Sequence, residues 1–241
     1  MKYAICFRGI SYQKNYIHRP NIEPFDVDFS NAIPYNVKYL INPLIQRGDT
    51  VDIYFNTYPS DKLDSFIAQL NPTSVLLNEY NPDRPWGDWK HIWKLAIDSL
   101  NQTTDKNYDW VILTRFDLIP FVDITSIYLP PDAISLATPH DDMFNILPGK
   151  LVQGYLDMAT EWRNKESTHA APPKLMDKGI KVHTIYGCKE NGTHKLFGAA
   201  TNFFAPPNHP YYKCSIDEVF NPNSQYYGFK NASMTEYTCC W

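Results

Sequence analysis

The stretch Tyr108-Asp109-Trp110-Val111-Ile112-Leu113-Thr114-Arg115-Phe116-Asp117 decides the fold. Trp110 to Leu113 is an unbroken apolar run, with no polar face to turn toward water. It therefore predicts a central strand buried on both sides, the kind found in parallel sheets covered by helices. Charge returns at its carboxyl end, as Arg115 and Asp117. In open parallel sheets the loops at that edge converge on the ligand crevice.

Working outward, Lys2 to Phe7 is a second apolar run, closed by Arg8-Gly9, and predicts a buried strand at the amino terminus. Val37 to Ile45 has helix-compatible spacing, weakened by Pro43 and stopped by Arg47-Gly48-Asp49. Val51 to Tyr58 predicts a strand, Asp61 to Leu70 a helix and Ser74 to Leu77 a third strand, giving the order βαβαβ. Between Trp89 and Leu100 the apolar residues Trp89, Ile92, Trp93, Ala96, Ile97 and Leu100 share one helical face. Ala133 to Ala137 predicts a further strand ending at Pro139-His140-Asp141-Asp142, and Pro148 to Trp162 a helix. Beyond about Asn164 the text becomes Pro- and Tyr-rich, suited to loops and a small added sheet. The expectation is an α/β fold: a mixed, mainly parallel central sheet flanked by helices, with a loop-rich carboxyl-terminal part.

Composition narrows the function classes. With 241 residues the chain can bury a large core as one domain, and its 19 Pro and 10 Gly are scattered, not gathered into a low-complexity tract. The net charge of −4 offers no global field for a polyanion, which argues against nucleic acid as main partner. No apolar window has the length of a membrane span, and Met1 to Ile10 lacks the pattern of a signal peptide, so the expected localisation is cytoplasmic. The five cysteines have no CxxC spacing and read as mostly free thiols. The sequons at Asn101, Asn191 and Asn231 would matter only in a secretory pathway. Phosphate-loop, dinucleotide-turn and nucleophile-elbow motifs are missing from the sequence.

Several residues are placed to carry chemistry. Asp117, displayed from the end of a buried strand, is the first candidate ligand for Mg²⁺ or Mn²⁺, ions that favour oxygen donors and substrate phosphates; the competing reading is a strand-end salt bridge. Arg115 is a candidate partner for a diphosphate or for Asp117. Asp141 and Asp142 form a carboxylate pair past a strand, with Asp142 favoured as general base; the alternative is a helix N-cap with an acidic first turn. Arg8-Gly9 and Asn56-Thr57 end neighbouring strands and are candidate nucleotide-binding residues, Gly9 allowing close backbone approach. His183, with His194 and His209, could add a late metal or phosphate contact, though each also reads as a surface or packing residue.

Together, four segments resemble the glycosyltransferase-A-like (GT-A) proteins of capsular and other surface polysaccharide pathways, which also occur in large viruses of algae. Ala4 to Gly9 resembles their opening strand and its Gly/Arg loop, and Val51 to Tyr58 their second strand. Tyr108 to Leu118 matches a strand reading Tyr-Asp-x-Val-Ile-x-Thr-Arg-x-Asp-Leu, and Asp141-Asp142-Met143-Phe144 an acidic pair before an aromatic. The resemblance covers roughly residues 2–150. It implies a Rossmann-related nucleotide-sugar-binding core over 1–150 and an acceptor-side part over 151–241 within one domain. It also implies a UDP- or GDP-sugar donor, a bridging divalent metal and transfer to a hydroxyl of a glycan or glycoprotein. Where that family has DxD, Arg115 replaces the first aspartate, so only Asp117 carries over. The literal DxD at Asp26-Val27-Asp28 follows Pro24 and no strong strand, and is read as a decoy. Two other classes stay open: a noncatalytic carbohydrate-binding protein on a degenerate transferase fold, and a metal-dependent phosphoesterase or nucleotidyltransferase.

Overall fold

The apolar runs become the strands of a seven-stranded sheet. The computed structural model of the chain describes residues 1–16, 23–79, 89–137, 144–185, 197–199, 208 and 214–224. Its strands are β1 (Lys2–Arg8), β4 (Thr50–Thr57), β5 (Ser74–Leu77), β6 (Trp110–Arg115), β8 (Ala133–Leu136), β9 (Asn145–Pro148) and β10 (Lys181–Thr184). They lie in the order β10-β8-β9-β6-β1-β4-β5. Only β9 runs antiparallel to its neighbours, β6 and β8. Two small antiparallel pairs stand apart: β2 (Tyr12–Tyr16) with β3 (Phe25–Asp28), and β7 (Leu118–Pro120) with β11 (Phe197–Ala199).

Period-2 alternation along the strands sends side chains into two cores. Tyr3, Ile5 and Phe7 of β1 join Ile53, Phe55 and Ile112 on one face; Ala4 and Cys6 join Tyr54, Val111 and Leu113 on the other. The first face is covered by the helical run of α1 (Ile33–Asn36), a π turn (Val37–Ile41) and α2 (Asn42–Gln46), and by α3 (Leu63–Leu70). The second is covered by α4 (Trp89–Asn101), α5 (Val152–Trp162) and α6 (Ala171–Asp177). Each fully buried side chain of the size of Phe55 or Leu113 contributes roughly 1.5–3 kcal/mol of transfer free energy. The π turn absorbs Pro43, whose ring excludes the regular helical bond: Asn42 N–H reaches back to Val37.

Several element predictions need correction. The predicted helix from Pro148 begins at Val152; Asn145–Pro148 is strand β9, joined to α5 by a 3₁₀ turn at Gly149–Leu151. That turn abuts β6, because Gly149 N–H donates to Asp109 C=O at 2.7 Å and a Cβ on Gly149 would lie 1.9 Å from Tyr108 O. The helix predicted over Val37 to Ile45 starts earlier, at Ile33, and the helix predicted from Asp61 starts at Leu63. In the carboxyl third, β10 extends the main sheet. A short helix, α7 (Ile216–Phe220), opens on a Ser215–Glu218 capping box.

Candidate functional site

Strand order reverses at β1, which has β4 and β5 on one side and β6 on the other. This is the topological switch point at which open α/β sheets open a crevice beyond the carboxyl ends of their strands. The register sets Arg8 of β1 directly beside Asn56 of β4 and Arg115 of β6. All three follow the parity of the second core and share that sheet face. Arg8, 3% exposed, and Arg115 thus put two arginines in register on adjacent strands, a residue type suited to the oxygens of linked phosphates.

Phe116 explains how the next residues are held. Its ring is 3% exposed and packs in the first core, with centroids 5.5 Å from Phe7, 5.0 Å from Phe55 and 5.6 Å from Phe66. With Phe116 driven to one side, Arg115 and Asp117 turn to the other and close a fork. Arg115 Nε donates to Asp117 Oδ1 at 2.7 Å, and Arg115 Nη2 donates to Oδ2. Both carboxylate oxygens are therefore engaged, with the Asp117 side chain 11% exposed and that of Arg115 32%. Of the partners predicted for Arg115, the structure shows Asp117.

Gly9 continues the edge with φ +98°, a backbone conformation that L side chains rarely adopt. Its N–H donates to Asn56 C=O at 3.0 Å, and its C=O accepts from Thr57 Oγ1 at 2.8 Å. Asn56 and Thr57 are both fully buried. Asn56 Nδ2 donates to Leu95 C=O at 2.8 Å and to Ser99 Oγ at 3.2 Å, both on α4, while Asn56 Oδ1 accepts from Asn78 Nδ2 at 2.5 Å. Lys94 Nζ extends the chain by donating to Asn78 Oδ1 at 3.0 Å. The Asn56 and Thr57 side chains thus fasten α4 and the Gly9 turn to the sheet edge. Asn78 and Lys94 escape sequence reasoning because neither stands in a motif.

The same network orients α4. Cys6 meets Ser99, Asn56 meets Leu95 and Tyr58 hydrogen-bonds His91, so the helix rises toward the carboxyl edge as its numbering falls. Its positive dipole end and Lys90, His91 and Lys94 belong to that edge. Burial beside Ser99 pushes the Cys6 thiol up, so it is a neutral packing group.

The remaining candidates separate. His183 lies on edge strand β10, three strand spacings or roughly 14 Å from β6. Its ring meets Tyr128 edge-on at 6.1 Å. The sheet order thus sets the strand that carries His183 apart from the one that leads to Asp117. Asp141 and Asp142 lie outside the described residues, as do His194 and His209. The flanking Ala137 and Phe144 meet at the same sheet edge, Ala137 N–H donating to Phe144 C=O at 3.1 Å. The Asp26-Val27-Asp28 stretch serves the β2–β3 hairpin. Asp26 accepts from Asn15 N–H at 2.9 Å, and Asp28 caps a 3₁₀ turn and pairs with Lys62. Among the described residues no three His, Cys, Asp or Glu groups converge on a metal position, and no helix is long and apolar enough to cross a membrane.

No family model matches the sequence, and no curated protein matches it. Among solved structures, the chain is similar to a Drosophila β1,4-galactosyltransferase 7 mutant in complex with manganese, UDP-Gal and xylobiose: 12% identity, 92% of this chain and 80% of that one, TM-score 0.45. It is similar to a glycosyltransferase involved in glycosylation of the major capsid of PBCV-1, at 6% identity over 76% of this chain and 80% of that one, TM-score 0.41. It is also similar to a cytidylyltransferase from Leptospira borgpetersenii, at 10% identity over 83% and 82%, TM-score 0.48. Likenesses this distant carry no chemistry across.

Proposed function

We propose that the chain is a glycosyltransferase that moves a sugar from a UDP- or GDP-sugar to a hydroxyl of a glycan or glycoprotein acceptor. The observation that carries the reading is the pairing of Arg8 with Arg115 in register across the switch point, beneath the amino-terminal end of α4. Breaking a glycosyl–phosphate bond leaves charge on the departing diphosphate, and prearranged cationic donors stabilise that charge where it develops. Arg8, Arg115 and the dipole end of α4 are assigned this role. Gly9 lets the nucleotide approach the end of β1 without meeting a side chain.

Asp117 supplies oxygen donors of the kind Mg²⁺ and Mn²⁺ prefer, in a side chain 11% exposed just past the end of β6, so its chemistry suits a divalent cation shared with diphosphate oxygens. Such a cation, when bound, would add Lewis-acid neutralisation of the leaving diphosphate. Asp142, with Asp141 beside it, is assigned to take the proton of the acceptor hydroxyl, on the strength of its place in the sequence between β8 and β9.

The test is thermal unfolding with UDP, GDP, dTDP and CMP, each with and without Mn²⁺. A nucleotide held at a hundred times its dissociation constant adds about 2.7 kcal/mol to the folded state. For a chain of this length that raises Tm by about 5–10 °C. One nucleotide family should do so, and the Arg8→Ala variant should lose the shift. No shift with any nucleotide would overturn the proposal in favour of a noncatalytic glycan-binding protein.

A further inference from the structure

We infer that Arg115 is a lock on Asp117, one that opens when Arg115 transfers to the donor's diphosphate. The inference rests on the transferase reading above and adds an order to it: nucleotide first, cation with it or after it.

The geometry leads there directly. Both oxygens of Asp117 accept from one guanidinium, through Nε at 2.7 Å and through Nη2. A planar fork matched to a planar carboxylate is the strongest arrangement that pair can adopt, and it leaves no oxygen whose best lone pair is free for a cation. The pair is also fixed from behind. Phe116 between them is anchored in the aromatic cluster of Phe7, Phe55 and Phe66, so neither residue can swing away by moving the backbone. Release must come from the side chain of Arg115, and that side chain stands at the sheet edge, 32% exposed, beside Arg8. A diphosphate presents the same bidentate oxygen geometry as Asp117 with more charge, and Arg8, buried in the adjacent strand, adds positive charge beneath the edge. Once Arg115 turns to the diphosphate, Asp117 is left as a carboxylate in a mostly buried position, which needs a new cation. Nucleotide and cation thus assist each other, and the assistance is reciprocal because both act on one equilibrium.

Binding of Mn²⁺, followed by the EPR signal of the free ion, tests the lock without any turnover. Wild type alone should bind Mn²⁺ weakly, and Arg115→Gln should bind it at least tenfold more tightly. Asp117→Asn in that background should abolish the gain. Saturating UDP, with the Mn²⁺–UDP complex in solution accounted for, should strengthen Mn²⁺ binding to wild type at least tenfold and to Arg115→Gln far less. Circular dichroism establishes that each variant is folded. Should Arg115→Gln fail to fold, Arg115→Lys takes its place, since an ammonium cannot fork both oxygens, and an intermediate gain is expected. A folded variant that binds Mn²⁺ no better than wild type overturns the lock, as does a gain that survives Asp117→Asn. If the Mn²⁺ gain appears while no nucleotide binds, the hold of Arg115 on Asp117 stands, and its release by a diphosphate falls with the transferase reading.

Discussion

Asn56 shows what a single residue at a sheet edge can be asked to do. Its amide is fully buried and holds Leu95 and Ser99 of α4 and Asn78 beyond β5. Replacing it by Leu keeps the branching at Cγ but strands those partners, at about 1–3 kcal/mol for buried polar groups left unmet, and adds volume to a packed site. We expect Asn56→Leu to lower Tm by roughly 2–4 °C per kcal/mol lost, while saturating nucleotide still raises the midpoint of the variant. An unchanged Tm with lost nucleotide stabilisation would instead make Asn56 a ligand contact. The position was legible in the sequence, as a polar residue ending a predicted strand, but its role was not. Whether an amide at a strand end faces a ligand or a covering helix depends on the packing of α4, which lies some forty residues further along the chain. Arg115 had the same ambiguity, resolved by the burial of Phe116.

At the scale of elements, helix α7 is anchored by Val219, 1% exposed in the first core, and by the ring of Phe220. Phe220 stacks on Tyr35 at 5.3 Å and on Tyr39 at 5.6 Å, and meets Phe121 edge-on at 5.9 Å. Aromatic pairs of this kind add about 0.5–1.5 kcal/mol each beyond the area they bury. A helix of five residues cannot hold itself together. Phe220→Ala should therefore weaken the attachment of α7, which Val219 still holds: amide protection over 216–220 falls in hydrogen exchange while that of β1 and β6 persists. Retained protection in α7 would refute this attachment. The apolar four-residue strands β5 and β8 were legible in the sequence, whereas β9 and the β2–β3 pair were not, for a related reason. The strand β6 and the helix α4 carry enough periodic positions to declare their type. Strand β9 offers four residues ending in Pro148, a residue that more often opens a helix, and it becomes a strand because β6 and β8 leave a gap of one strand's width. The β2–β3 hairpin is polar, and its register shifts between Gln13 and Tyr16, with Asn15 at φ +50°, so no alternation survives to be read.

The whole molecule carries a built-in sensitivity to alkali. Burial pushes the Cys6 thiol up, and burial with the Glu218 charge raises Cys214 to about 11. Tyr108 is raised by burial and then by its bonds to Asp52, at 2.5 Å, and Tyr54, at 2.6 Å. Burial raises Tyr3 as well, against the pull of Arg47. Each of these groups is neutral when protonated and holds its proton more tightly folded than unfolded. Above its ordinary value the unfolded chain therefore binds fewer protons, and stability falls as pH rises. The stabilisation is fully present below about pH 8.5, where an unfolded thiol begins to ionise, and is lost progressively above it as the tyrosines follow. For Cys6 the loss is about 1.4 kcal/mol per pH unit, or about 2 kcal/mol between pH 8.5 and 10. Urea unfolding at pH 8, 9 and 10 should show the midpoint falling, with Cys6→Ala removing part of the slope because its methyl group has no proton to lose. A midpoint that stays level to pH 10, or a slope unchanged in Cys6→Ala, would mean that the core admits enough water at the sheet edge to ionise the thiol in place. That would also undo the packing of Cys6 against Ser99, on which the orientation of α4 over Arg8 and Arg115 in part depends.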